Sequence, residues 1–227
     1  MELTYHSKQQ VAPNVWEFSL TSARDYQFIP GQYAHFWLPD RTLGYRTFTI
    51  TSHPTEQTVR FMTRFDQPLS PYKAALLALP TGAQLTVGEA MGDAVLPRLS
   101  STPLVFVAQG LALASYLSIL AECESSALSH LDVRERSFHT TLLWVRRSED
   151  DPLEKLIPRG VRNLTRVDLH YPDRLAAAGI APHLQPNSLV YLSGSQTFVE
   201  TLGTELETTG TPRARLIYDY YDGYANL

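Results

Sequence analysis

Cysteine is nearly absent: one residue, Cys123, stands in a chain of 227. An internal disulfide is therefore excluded, and one thiol assembles neither a cysteine-ligated zinc site nor an iron–sulfur cluster. A lone thiol fits a reducing compartment, and a cytoplasmic location is expected. An excess of basic residues is also missing. Lys and Arg number 19 against 23 Asp and Glu, for a formal net charge of −4. Proteins that bind nucleic acid through its phosphates carry the opposite balance, so nucleic acid is not expected as a partner. Positions 1–10 are polar and hold no apolar core of a signal peptide. The 7 His residues show no H-x-x-x-H spacing, so no metal site is expected. The longest apolar stretch, 104–123, is broken by Gln109, Gly110, Ser115 and Ser118. It reads as a strand, a glycine turn and a helix, and no membrane span is expected.

What is present falls into two parts of different character. Up to about Pro97, short runs of β-branched and aromatic residues at 15–20, 33–38, 46–52, 59–64 and 84–88 alternate with Pro- and Gly-containing turns. Short strands at this spacing predict a small antiparallel β-barrel. One helix interrupts them, with Ser70 as N-cap, Pro71 at the first helical position and good helix formers behind. Beyond a cluster of Pro, Arg and Ser at 97–103, apolar strands at 104–108, 141–145, 164–169, 189–192 and 214–218 alternate with helical segments. That alternation predicts an α/β domain with a five-stranded parallel sheet. The expected domains are 1–99 and 100–227, with no internal repeat.

Four segments could carry chemistry. In Arg46-Thr47-Phe48-Thr49, alternate residues share a strand face, with Arg46 and Phe48 on one side and Thr47 and Thr49 on the other. An arginine fork suits a pyrophosphate, an aromatic ring a flat heterocycle and a hydroxyl a ring nitrogen. An amphipathic strand with a solvated Arg has the same pattern. The start of the Ser70-Pro71 helix offers free N–H groups to a phosphate, or Ser70 only caps its own helix. Strand 104–108 turns through Gly110 into a helix, either a dinucleotide turn or a tight connection. Tyr191-Leu192-Ser193-Gly194 ends a buried strand at the edge where ligands bind in parallel sheets, or simply turns. A serine hydrolase is not expected. The segment around Ser193 and Ser195 does not match G-x-S-x-G, and no His or Asp follows in the expected order except Asp219 and Asp222.

Taken in this order, the segments resemble the ferredoxin–NADP reductase family of flavoenzymes, across nearly the whole chain. Arg46-Thr47-Phe48-Thr49 matches its R-x-[YF]-[ST] flavin motif, and Phe28-Ile29-Pro30-Gly31-Gln32-Tyr33 its F-x-P-G-Q-[FY] turn. Leu69-Ser70-Pro71 resembles the pyrophosphate segment of bacterial members. Ala108-Gln109-Gly110 through Leu120 resembles the G-T-G-I-x-P segment, and Tyr191-Leu192-Ser193-Gly194 the Y-x-[CS]-G segment.

The resemblance implies an FAD-binding barrel followed by a domain for NADPH or NADH, with electrons passed to a separate ferredoxin, flavodoxin or oxygenase component. It implies that Arg46 contacts the FAD pyrophosphate, Phe48 packs on the isoalloxazine and Thr49 bonds near flavin N5. Ser70 and the N–H groups behind it would hold the pyrophosphate, with Pro71 a further cofactor position, and Ser193 would sit near the reacting nicotinamide carbon. Thr47, Thr63, Gly110, Leu111, Arg147, Gly194 and the tail residue Tyr224 are further implied cofactor positions. The departures fall in the nicotinamide half. Leu111 replaces a Thr, Ala112 a Gly, Ser115 a Pro and Phe198 a Met. A methyl at Ala112 is expected to project toward an approaching phosphate. These changes keep a second reading open, a flavin-binding relay or regulatory module with a degenerate nicotinamide site.

Overall fold

A computed structural model describes residues 1–21, 26–97, 102–128, 139–146, 151–159, 164–170 and 175–221. The chain divides into two compact units, Met1–Val95 and a second from Leu96 onward.

The first unit is an antiparallel sheet. Its elements are β1 (Glu2–Ala12), β2 (Val15–Thr21), β3 (Tyr33–Trp37), β4 (Tyr45–Thr49), β5 (Thr58–Arg64), α1 (Pro71–Leu77) and β6 (Gln84–Val87). The 6 strands run in the order β4-β3-β6-β1-β2-β5. Its two edge strands are drawn together where β4 ends. Ile50 bridges to Phe61 of β5, and the Thr51 N–H donates to the Arg60 carbonyl at 2.8 Å. That contact turns an open sheet into a barrel and removes the edges that would otherwise expose unpaired backbone. Aromatic rings fill the interior. Phe61 stacks on Phe18 at 5.3 Å and on Phe48 at 4.4 Å between centroids. Helix α1 packs against this core through Tyr72 and Leu76, and the Tyr72 hydroxyl donates to the Phe36 carbonyl at 2.9 Å.

Strand β1 was not among the expected strands, although at 11 residues it is the longest in the barrel. Only Leu3, Tyr5 and Ala12 are buried along it. Its register with β2 shifts between Tyr5 and Ser7 and again between Gln10 and Ala12. Each bulge breaks the period of two that identifies a strand from sequence. Strand β4 starts at Tyr45 and stops at Thr49, short of the expected 46–52, because after Thr49 the chain leaves β3 for β5.

The second unit contains β7 (Leu104–Gln109), α2 (Ala114–Leu128), β8 (Thr140–Arg146), β9 (Leu164–His170), α3 (Ala177–Ile180), β10 (Leu189–Gly194), α4 (Gln196–Thr208) and β11 (Leu216–Tyr220). Its 5 strands lie in the order β11-β10-β7-β8-β9, and every neighbouring pair is parallel. The chain builds outward from β7 through β8 and β9, then crosses to β7's other side for β10 and β11. The strand order therefore reverses between β7 and β10. The stretch 104–123 resolves into β7, a 3-10 turn at Gly110–Leu113 and α2. Among the described residues no helix is long and apolar enough to cross a membrane. Strand β11 begins two residues later than expected, since Arg213–Arg215 forms a 3-10 turn.

Cys123 lies buried on α2, and burial followed by the charge of Glu122 pushes its thiol up to about 12, against a smaller opposing effect of a hydrogen bond with Thr140. The thiolate is the reactive form. The native protein is expected to leave an aromatic disulfide reagent unreacted at pH 8, and the unfolded chain to react stoichiometrically. Rapid labelling of the folded protein contradicts this packing.

Candidate functional site

The structure gathers the candidate residues into two groups, one in each unit. In the barrel, register places Arg46 opposite Phe36, Thr47 opposite His35, Phe48 opposite Ala34 and Thr49 opposite Tyr33. Phe36 and Ala34 point into the core, so Phe48 points inward as well. Thr47 faces outward, where its hydroxyl lies 2.9 Å from His35 Nδ1. The expected alternation holds over these residues, but both Phe48 and Thr49 are buried, each 9% exposed. One face of the Phe48 ring rests on Phe61, nearly parallel at 10°. Thr63 stands two residues beyond Phe61 on β5 and is also buried.

Arg46 lies at the exposed end of this strip. Its guanidinium carbon sits 5.2 Å from the Tyr72 ring centroid, and Nη1 donates to the Tyr45 carbonyl at 2.8 Å. No carboxylate pairs with it among the described residues. Tyr72 is the second residue of α1, so the arginine and the start of the helix, far apart in sequence, come together. The Ser70 hydroxyl accepts from the Lys73 N–H at 3.4 Å and so caps its own helix, with Pro71 at the first position. Burial raises the Tyr72 hydroxyl's pKa against the smaller opposing influence of Arg46. It thus remains a neutral donor and a π surface beneath the cation. Tyr72 was not singled out from sequence; its place two residues past a helix cap was the available signal.

In the second unit, the C-terminal ends of β7 and β10 meet at the point where strand order reverses, the place where open parallel sheets bind ligands. Gly110 ends β7 with φ of +55°, a conformation that penalises any side chain. Its carbonyl accepts from the Trp144 indole N–H at 2.9 Å. Gly194 ends β10. A Cβ there would stand 2.7 Å from Phe198 Cδ1 and 3.0 Å from Gln109 Cβ, so glycine is required by contact.

Ser193 is fully buried. Its hydroxyl donates to Asp219 Oδ2 at 2.7 Å, and Ser115 Oγ lies 3.3 Å away. With its single proton committed to Asp219, Ser193 accepts from Ser115. The Tyr116 hydroxyl donates to the Val107 carbonyl at 3.1 Å. Burial, reinforced by the Asp219 charge, raises its pKa well above the usual tyrosine value. A Ser donating to an Asp and shut away from solvent is not an accessible nucleophile, which agrees with the absence of a hydrolase elbow. The sequence offers Asp219 as a hydrolase acid or as part of an aromatic tail from Tyr218 to Tyr224, and it stands instead within β11. Its partnership with Ser193 arises because β11 lies beside β10 with Ser193 opposite Asp219.

Two expectations about the departures change. Ala112 is 2% exposed, so its methyl is buried in the 3-10 turn and does not project from the mouth as a barrier. Ser115, at the place of a proline, is the hydrogen-bond donor to Ser193. Leu111 is half-buried. Arg147 and Tyr224 lie outside the described residues.

No family model matches the chain, and no characterised protein matches its sequence. Solved structures are similar in fold. The flavohemoglobin of Malassezia yamatoensis, solved with bound FAD and heme, has a TM-score of 0.78 at 16% identity, over 97% of this chain and 59% of that one. The ferredoxin reductase of a carbazole 1,9a-dioxygenase has a TM-score of 0.76 at 15% identity, over 97% and 69% of the two chains. A ferredoxin NADP+ reductase from Neisseria gonorrhoeae, solved with FAD and NADP, has a TM-score of 0.76 at 15% identity, over 97% and 98%. The chain thus spans 59% of the flavohemoglobin's length and nearly all of the Neisseria protein's. At these identities the likeness is one of fold, and the two-domain fold of ferredoxin reductases is the fold of this chain.

Gly194→Ala forces either Phe198 or Gln109 outward. Overpacking of this kind costs about 1–3 kcal/mol. Chemical denaturation is expected to show a loss in that range, and an unchanged midpoint contradicts the contact.

Proposed function

We propose that this chain, carrying the ferredoxin-reductase fold, is an FAD-dependent oxidoreductase that draws electrons from NADPH or NADH and passes them to a separate protein acceptor. The acceptor class we favour is a ferredoxin, a flavodoxin or an oxygenase component. The location we favour is the cytoplasm, where a single unpaired thiol is ordinary.

The observation that carries this reading is the Arg46 corner. An exposed guanidinium rests over an aromatic ring at the start of a helix and has no carboxylate among the described residues. Such a fork is suited to a pyrophosphate. Behind it on the same strand come Phe48, a ring already stacked on one side, and Thr49, a hydroxyl at the buried strand end. An extended ligand with a phosphate at one end and a flat heterocycle at the other fits that order, and FAD has that form. When bound, FAD supplies the chemistry that connects a two-electron donor to one-electron acceptors.

The chain's own residues bind, orient and exclude water. Arg46 neutralises phosphate charge. The Phe48–Phe61 stack holds a rigid apolar wall. In the second unit, Ser193, Asp219 and Ser115 form a fixed polar group beside the Gly110 and Gly194 turns. Its position at the reversal of strand order supports a nucleotide site there. A second reading is a flavin-binding relay without nicotinamide chemistry, and the observation that favours it is Leu111, an apolar side chain in the turn itself.

The test is spectroscopic. The purified protein reconstituted with FAD is expected to show a bound flavin spectrum. Arg46→Ala is expected to weaken FAD binding by about 1.5–3 kcal/mol, the scale of one charge-assisted hydrogen bond, without loss of folding. Anaerobic addition of NADPH or NADH is expected to bleach the flavin band. Bleaching with neither nucleotide selects the relay reading, and FAD affinity insensitive to Arg46→Ala overturns the site.

A further inference from the structure

Gln109 is the last residue of β7 and was given no role beyond its place in a motif. The backbone pairing of β7 with β10 ends one step earlier, at Ala108 opposite Ser193. Past that point the next N–H of the β10 strand end has lost its sheet partner. The Gln109 side chain replaces it. Its Oε1 accepts from the Ser195 N–H at 3.1 Å and from the Ser195 hydroxyl at 3.0 Å. Because a backbone N–H can only donate, the oxygen end of the amide must face Ser195. Ser195 is in turn the N-cap of α4, its Oγ accepting from the Phe198 N–H.

The other sides of the same two turns are also tied. The Gly194 carbonyl accepts from the Tyr221 N–H at 2.8 Å, and the Gly110 carbonyl from Trp144. The ends of β8, β7, β10 and β11 are thereby linked side to side, and the link between β7 and β10 is made through the Gln109 side-chain oxygen. It spans the strand-order reversal. Gly194 lies between Gln109 and Phe198, so the position of the Gln109 side chain also sets how close the two turns approach.

We propose that Gln109 is a positioning residue of the nicotinamide nucleotide site: it ties the cap of α4 to the end of β7 and so sets the gap between the Gly110 and Gly194 turns. The proposal rests on the reading that this unit binds a nicotinamide nucleotide. Gln109 acts through Ser195, not by touching the ligand, and this distinguishes it from a contact residue.

The experiment uses the FAD-loaded protein, with NADP+ and NAD+ as probes in calorimetric titration and amide hydrogen exchange at Ser195 measured without nucleotide. Gln109→Leu removes the acceptor, and Ser195→Pro removes both donors from the opposite side. Gln109→Leu is expected to speed Ser195 exchange and to weaken the bound nucleotide about tenfold, the scale of a hydrogen bond lost at a positioned group. FAD content is expected to be unchanged. Ser195→Pro also removes the α4 cap, but once it has cut the tie Gln109→Leu has nothing further to remove, so the double variant is expected to bind no worse than Ser195→Pro alone, within about twofold. Losses that multiply in the double variant show Gln109 meeting the ligand directly and overturn the proposal. So does a Gln109→Leu protein that binds like the wild type. If the wild-type protein binds neither nucleotide, the functional reading fails and the nucleotide role with it. Ser195 exchange still decides separately whether the tie exists, and unchanged exchange in Gln109→Leu refutes it.

Discussion

Backbone N–H and C=O groups must find partners wherever a β ladder stops, and both candidate sites are built at such stops. In the barrel, β4 ceases to pair with β3 after Thr49, and the chain is taken over by β5 through Ile50 and Thr51. In the α/β unit, β7 and β10 stop pairing after Ala108 and Ser193, and side chains complete the pattern. The ends that need partners from outside the ladder are also the places where a ligand can approach backbone and polar side chains together. The residues proposed for binding are therefore also those that the ends of the ladders require.

The two units meet this constraint by different means. The barrel uses aromatic mass. Phe18, Phe61 and Phe48 stack through its centre with Phe36 tilted against them, and α1 contributes Tyr72, whose buried ring also lies under Arg46. One tyrosine thus links the core to the exposed cation. The central strands β7 and β10 of the parallel sheet are already buried on both faces, and the strand ends are joined by single hydrogen bonds. Those bonds involve Trp144, Gln109, Tyr221 and the Ser193–Asp219 pair.

Most of the architecture was legible in the chain, for identifiable reasons. The apolar runs of β7, β8 and β10 are strands buried on both faces, and such runs announce themselves without a partner. The Ser70-Pro71 cap and the glycine at 110 are local signals whose physics acts within a few residues. Strand β1 was not legible, because its two bulges and its polar outer face erase the alternation. The site residues divide the same way. Arg46, Phe48, Thr49, Ser193 and Gly194 stand in short motifs and could be named from sequence. The partners of Tyr72, Gln109, Trp144 and Asp219 could not, since each acts on a residue at least a strand away.

The amino-acid sequence by itself determined the two-part organisation, the identity of most strands and the positions of the turns, because hydrophobic period, caps and glycines are local properties. Tertiary structure alone decided which turns meet. The order β11-β10-β7-β8-β9 sets Ser193 against Asp219 and Gln109 against Ser195, and the packing of α1 on the barrel sets Arg46 over Tyr72. It also reversed the expected effect of Ala112, whose methyl is buried, and gave Ser115 a partner. Pairings between residues distant in the chain depend on strand order and register, which no short window of sequence contains.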